Sequence, residues 1–399
     1  MSPRVRTILL CGVAMSLGWG MRGFIGGGPF GAMIPGAMVT LLICHFHGIG
    51  GDRATVAAAF GAVGIGIGGE MTYGQTVGYA MAPATMWWGI FGLSLKGAIW
   101  GLVGGALLEY GLEGPTPAKT AGLAGILIAA TTIGWKLVNN PKWIYFSNPV
   151  DRPREEVWCG FLLAGLAACV YLWRWRFAAA GFLFGGLGFG LGGLVQHWGR
   201  NYSGVPRLDW WKGMEFTFGF LFGVGLAWAA QAVRPGGRGG PQDDGLWKEV
   251  AIGVAAAAAL YFADPLVPLR FAYLALGAVA LWAVSNRPGV ALQLALTTTY
   301  MAFVDDLYGE GAAIGPVRVA GLLTSVVMAW AVASARRSEA FVWRAFLLIT
   351  WTGVAVAILK ALSLARGGWE PWLTYGAFVA MAAVVHRLAA PPAGDVSEA

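Results

Sequence analysis

The run from Phe182 to Leu194, FLFGGLGFGLGGL, has no polar side chain and places glycine at nearly every second position. A stretch of this kind is either buried in a protein core or immersed in lipid, and the rest of the chain decides which. Of its residues 57% are hydrophobic and 12% are charged, with a mean hydropathy of +0.63, against about 25% charge in soluble domains. The chain therefore reads as an all-α polytopic integral membrane protein with the lipid bilayer as its main partner. Its 62 glycines follow neither a linker nor a collagen pattern. In lipid no hydrophobic force drives helix against helix, so small residues that let backbones approach closely supply the packing. Most of the glycines are expected to do this, and a minority to mark broken helices.

A bilayer core takes about 20 apolar residues per helix. That rule places crossings near 7–20, 30–46, 53–69, 86–109, 119–138, 156–174, 178–196, 211–232, 247–263, 267–285, 289–304, 314–335, 340–363 and 371–389, a glycine-rich bundle of about 12–14 segments. The first begins after Arg4 and Arg6 and resembles a signal peptide, but no small-residue cleavage site follows, so it is read as a retained helix. RPGGRGGPQDDG, within 234–246, is a polar linker that cannot be helical in lipid. It separates a glycine-dense half, 1–233, from a second half, 247–390, richer in alanine, valine and leucine. Residues 391–399 read as a disordered tail.

Within the first half, 53–109 and 178–232 form an internal repeat. Each has a glycine-packed run, a polar and aromatic link, and a tryptophan pair opening a second glycine-spaced run. Trp87-Trp88 thus answers Trp210-Trp211, and Gly97 and Gly101 answer Gly219 and Gly223. Counted as crossings, the two units run in the same direction.

The net charge of +7 does not indicate nucleic acid, because Lys and Arg fall in short links, as topology signals do. Arg53, Lys119, Arg174, Arg176, Arg336, Arg337 and Arg387 share one side with Arg4 and Arg6, which places both termini in the cytoplasm of a cell or inner-membrane protein. The link 139–155, with Lys142, Arg152 and Arg154, and the link with Arg200 and Arg207 go against the rule. Cys11, Cys44, Cys159 and Cys169 read as packing residues without a disulfide framework. Cys44, His45 and His47 lack a fourth donor, so no metal is expected. The GxGxGG strings follow no strand and precede no GK[ST], which removes a nucleotide site and leaves no cofactor in view.

The polar links of both units are expected at one end of the bundle. Glu70 and His197 each follow a glycine-packed run, where an ionisable group is costly unless paired or wetted, and an imidazole there can carry protons. Arg22, in GWGMRGFIGGG, lies between two glycine-rich half-segments, where amide N–H groups and a guanidinium suit a carboxylate or phosphate. Tyr73, Gln75, Arg200, Asn201, Tyr202, Trp210 and Trp211 complete the candidate solute-binding set. Lys96 and Glu215, of opposite sign in the second arms, form a conceivable cross-unit pair, and Lys212 reads as an interfacial anchor.

Short, glycine-interrupted segments in repeated units are the pattern of secondary transporters, whose sites form between broken helices. The leading expectation is a permease for a small polar or anionic solute, with proton coupling through Glu70 and His197. The alternative is a membrane enzyme acting outside on a glycan or lipid-linked substrate through Asp305, Asp306, Glu70 and His197, with tryptophans stacking on the sugar. An accessory subunit of a larger assembly, or a homo-oligomer, also fits the composition.

Overall fold

The computed structural model describes residues 1–233 apart from 25, 26, 152, 155, 206 and 207, and residues 340–391 apart from 365–368, with scattered positions between them. The expected segments from 247 to 335, the linker 234–246 and the tail fall, but for those scattered positions, outside the described residues.

All regular structure among the described residues is helical. In order the elements are α1 (Pro3–Arg22), α2 (Gly28–Phe46), α3 (Gly51–Ile67), a 3-10 turn (Gly68–Glu70), α4 (Gly74–Met81), α5 (Met86–Glu113), α6 (Pro117–Gly134), α7 (Trp158–Leu172), α8 (Arg176–Tyr202) and α9 (Trp210–Ala230). A π turn, Trp135–Asn139, extends α6, and α10 (Phe341–Leu364) and α11 (Glu370–Ala389) close the chain. Among the described residues seven helices are long and apolar enough to cross a membrane: α2, α5, α6 with its π turn, α8, α9, α10 and α11. Joining α3 to α4 across their 62° bend makes an eighth. The expected crossings at 7–20 and 156–174 are present as α1 and the 15-residue α7, neither of which is among the seven.

Local sequence sets the boundaries. Ser2 caps α1 by accepting from the Val5 amide, with Pro3 at the first helical position, and Thr116 and Pro117 do the same for α6. Side-chain acceptors satisfy N–H groups that have no partner within the helix, and proline there sacrifices none. At the far ends the chain turns through left-handed residues, Gly114 after α5 and Trp173 after α7.

Six helices form a closed ring, α1–α2–α3–α5–α8–α9–α1, in which each packs on the next. Small residues hold it together. A Cβ placed on Gly97, Gly101 or Gly105 of α5 would strike the backbone carbonyls of Gly185, Gly181 and Phe177 on α8, and one on Gly219 or Gly223 of α9 would strike Met15 and Cys11 carbonyls of α1. Gly97 and Gly101 on one side and Gly219 and Gly223 on the other thus serve different neighbours by the same means. Gly64 against Leu107, and Gly111 against Phe60, set α3 antiparallel to α5. Because α8 is also antiparallel to α5, α3 and α8 run in the same direction.

The ring therefore consists of three antiparallel hairpins, α1–α2, α3–α5 and α8–α9, whose facing helix ends, Arg22 and Gly28, Ile67 and Met86, and Tyr202 and Trp210, lie at one end, called here the tip end. The hairpin α6–α7 packs outside on α5, while α10 and α11 pack on α2 and α1. At the opposite end Arg6 donates to the Leu388 carbonyl and His45 Nε2 lies 2.8 Å from the Ala389 carbonyl. The start of α1 and the end of α11 thus share that end. Exposed tryptophans cluster at both ends, Trp87, Trp88, Trp143 and Trp198 at the tips and Trp173, Trp175 and Trp228 opposite.

Candidate functional site

A cavity of about 640 Å³ opens where the three tips converge. Its lining includes Arg22, Phe24 and Gly28 from the first hairpin, Met71 to Gln75 from the second, and Asp209, Trp211, Lys212 and Glu215 from the third, with Arg154 at the rim. The first turns of α2, α4 and α9 border it through Gly28, Gly74 and Trp211. Helix N-termini present amide N–H groups and favour negative charge.

Arg22 is the last residue of α1 and is 5% exposed. The expected pair of half-segments around it is instead the junction between two full helices, of 20 and 19 residues. Its Nη1 donates to the Tyr73 hydroxyl at 3.0 Å and its Nη2 to the Gly28 carbonyl at 3.3 Å, while its buried Nε has no partner. The guanidinium lies 5.1, 5.5 and 5.3 Å from the ring centres of Trp19, Tyr73 and Trp100. Among the described residues its hydrogen-bond and ring partners are all neutral.

Below Arg22 the middle of the ring is filled with aromatic rings. Trp19 packs 4.9 Å from both Trp100 and Phe218, and Phe189 stacks on Phe218 at 4.6 Å. Trp100 Nε1 donates to the Ile65 carbonyl at 2.6 Å, which fixes its ring. Such pairs contribute about 0.5–1.5 kcal/mol each beyond area burial. The cavity thus ends on a solid floor.

Two buried ion pairs flank the cavity, and neither is the Lys96–Glu215 pair that opposite signs suggest. Lys212 Nζ meets Glu215 Oε2 at 2.6 Å, three residues along α9, and Trp211 Nε1 donates to Glu215 Oε1 at 3.1 Å. Lys212 therefore belongs to the cavity wall rather than anchoring at an interface; its Nζ also sits 4.6 Å from the Phe24 ring centre. Lys96 instead meets Glu156 at 2.9 Å and donates to the Thr72 carbonyl and Thr76 hydroxyl. Glu156 comes from the link before α7 and is absent from the sequence-based candidates. Among the buried charged side chains of the wall, Arg22, Lys212 and Glu215, one positive charge has no counterpart.

Of the candidate residues, Arg22, Tyr73, Gln75 and Trp211 line the cavity. Tyr73 packs its ring 5.8 Å from that of Trp211, and Gln75 Oε1 accepts from the Asn148 amide. Glu70 is half-buried at the end of the 3-10 turn, outside the lining. His197 is buried against α4, with Nδ1 2.7 Å from the Ala80 carbonyl, and Asn201 donates to the Met81 carbonyl nearby. Arg200 and Tyr202 are exposed, and Trp210 covers Gly199. Asp305 and Asp306 lie outside the described residues.

A second cavity, of about 520 Å³, lies at the opposite end of the same ring, among α3, α5, α8 and α9. Arg53, Glu109, Glu113, Arg174 and Arg176 border it. Glu113 pairs with Arg174 at 2.6 Å, and buried Glu109 accepts from the Phe177 amide at 3.1 Å.

Fold and site together define a helical bundle with membrane-length apolar helices and a cationic cavity at one end of a closed ring. Comparison with known families, curated proteins and solved structures finds no match.

Proposed function

We propose that the chain is a multi-pass membrane permease for a small anionic solute, which binds at Arg22 in the tip-end cavity. One observation carries the reading: a nearly fully buried guanidinium lines an open cavity, bonded only to neutral groups. Buried charges are paired or bind something, and the excess charge here is positive. The cavity's volume falls within the about 300–1,000 Å³ of small-molecule sites.

Transport rather than binding alone is supported by the second cavity on the same ring, with the Trp19–Trp100–Phe218 cluster between the two. A solute path closed at mid-depth, with a vestibule at each end, suits alternating access. The similar hairpins α3–α5 and α8–α9, read as an internal repeat of parallel sense, are units that can rock about a shared site. Two tryptophan belts fit the two interfaces of a bilayer. Positive charges at the end that holds the start of α1 and the end of α11, Arg4, Arg6, Arg53, Arg174 and Arg176, orient that end to the cytoplasm and the tips outward.

The enzyme reading draws on the solid floor below Arg22. It has less support, since only Trp211 of the two tryptophan pairs turns into the cavity, which leaves one indole for stacking on a sugar.

The test is counterflow in proteoliposomes, with labelled succinate, butyrate and phosphate as probes. Exchange of at least one, lost in Arg22→Gln, is expected. Binding of an anion at Arg22 without any exchange would overturn the permease and leave a receptor or enzyme.

A further inference from the structure

The tip-end cavity has one excess positive charge but two cations in its buried wall. Among the described residues Arg22 has no countercharge, whereas Lys212 is occupied by Glu215. Both cations line the same cavity. A monoanion at Arg22 restores neutrality and leaves the Lys212–Glu215 pair untouched. A dianion that spans Arg22 and Lys212 brings one negative charge too many, unless Glu215 gives its charge up.

Building on the anion reading above, we propose that Glu215 is a proton acceptor coupled to solute charge: a dianion displaces it from Lys212 and enters together with one proton. The solute's second anionic oxygen takes the place of Oε2 on Lys212 Nζ. The ammonium keeps its three protons, and the proton that neutralises Glu215 comes from the water of the cavity. Glu215 Oε1 retains the hydrogen bond from Trp211 Nε1, which holds the neutral acid in position. Monoanion and dianion-plus-proton both deliver a net charge of minus one, which matches the charge missing from the wall.

Among the described residues that line the cavity, Glu215 is the one buried carboxylate, and Asp209 is exposed. From its own helix come Lys212 and Asp209, and Asp209 caps α9 through the Lys212 amide. From α1 comes Arg22, and from the link before α4 comes Tyr73, already bonded to Arg22. On α8, His197 is bonded to the Ala80 carbonyl and Arg200 is exposed. Arg154 at the rim is exposed, and α2 and α5 bring no titratable side chain to the lining.

Isothermal titration of the purified protein decides the matter, with succinate and butyrate as probes at pH 7.5, in buffers of different ionisation enthalpy. Succinate is expected to take up about one proton per molecule bound and butyrate none. Linkage then weakens succinate binding by about tenfold per pH unit above neutrality and leaves butyrate nearly flat. In Glu215→Gln the proton uptake and the pH slope for succinate are both expected to vanish. Succinate binding without proton uptake in the wild-type protein overturns the inference even if the variant fails to fold, and so does uptake that persists in Glu215→Gln. If neither anion binds, the anion site falls and this inference with it; if both bind without exchange across a bilayer, only the permease falls.

Discussion

Neutralising Lys96 alone should destabilise the protein more than neutralising Lys96 and Glu156 together. The two side chains are 1% and 0% exposed and meet at 2.9 Å. Glu156 also accepts from the Phe146 amide at 3.1 Å and the Ser147 hydroxyl at 2.9 Å. In Lys96→Met the carboxylate keeps both donors but loses its countercharge, and in Glu156→Gln the ammonium keeps Thr72 and Thr76 but loses its own. Removing one partner of a buried pair costs about 3–5 kcal/mol, because the remaining charge cannot be rehydrated. In the double variant no charge remains; the oxygen of the amide that replaces the Glu156 carboxylate still accepts from the Phe146 amide, and its NH2 group donates to the Ser147 hydroxyl in place of accepting from it. The loss is then confined to the hydrogen bonds to Thr72 and Thr76, about 1–3 kcal/mol. With about 1–2 °C per kcal/mol for a chain this long, melting followed by tryptophan fluorescence in detergent should fall by about 3–10 °C in either single variant. The double variant should recover to within about 1–6 °C of the parent on the same scale, above both single variants. A double variant that melts as low as the worse single would refute the reasoning, since the pair would then act as packing bulk and not as charge.

Other perturbations separate the ring from the site. Gly101→Val should lower the melting point by more than the about 1–3 kcal/mol of ordinary overpacking, because its side chain meets the Gly181 backbone on α8. Gly125→Ala, on α6 with open space around it, should be neutral or gain about 0.5–1 kcal/mol; equal losses at both sites would remove the zipper as their cause. Glu113→Gln breaks a pair whose side chains are 42% exposed, so a melting change worth more than about 1 kcal/mol would contradict a solvated contact. On a background without the four buried cysteines, single cysteines at Thr85 and Thr116 should react with impermeant thiol reagents from opposite sides of the membrane, Thr85 from outside. Labelling of both from one side would break the antiparallel ring.

The apolar runs made the helices legible: 86–109, 119–138 and 211–232 correspond to α5, α6 and α9 within a few residues, since glycine, proline and charge bound each run. Charge pairing was legible only where it is local. Lys212 and Glu215 stand three apart on one helix, a spacing that itself places them side by side, so WWKGME carried a usable signal. Lys96 and Glu156 are 60 residues apart, and no period in the sequence joins α5 to an irregular link. The weight given to His197 came from its place after a glycine run. That signal marks depth in the membrane, not direction, and the ring nitrogen turns to an α4 carbonyl. Arg22 was legible for the complementary reason: a cation between glycine-rich runs had to lie at a helix junction, whichever partner it found.

Whether Arg22 serves a ligand or the fold can be decided by stability alone. Uncompensated burial of an ion costs several kcal/mol. The three rings around the guanidinium return about 1–2 kcal/mol, the carbonyl end of α1 about 0.3–1 kcal/mol, and the bonds to Tyr73 and the Gly28 carbonyl about 1.5–3 kcal/mol each, which together come close to that cost without a countercharge. A ligand that binds only the folded state adds stability in proportion to its occupancy, about 2.7 kcal/mol at one hundred times its Kd. Arg22→Met should therefore melt within about 2 °C of the parent without anion, since an apolar side chain of similar length removes both the burial cost and the contacts that offset it. The parent should rise by about 3–5 °C with saturating succinate, and the variant should not move. If Arg22→Met melts several degrees lower in the absence of anions, the guanidinium is a structural clasp for Tyr73 and Gly28, and the anion site has no basis in its charge.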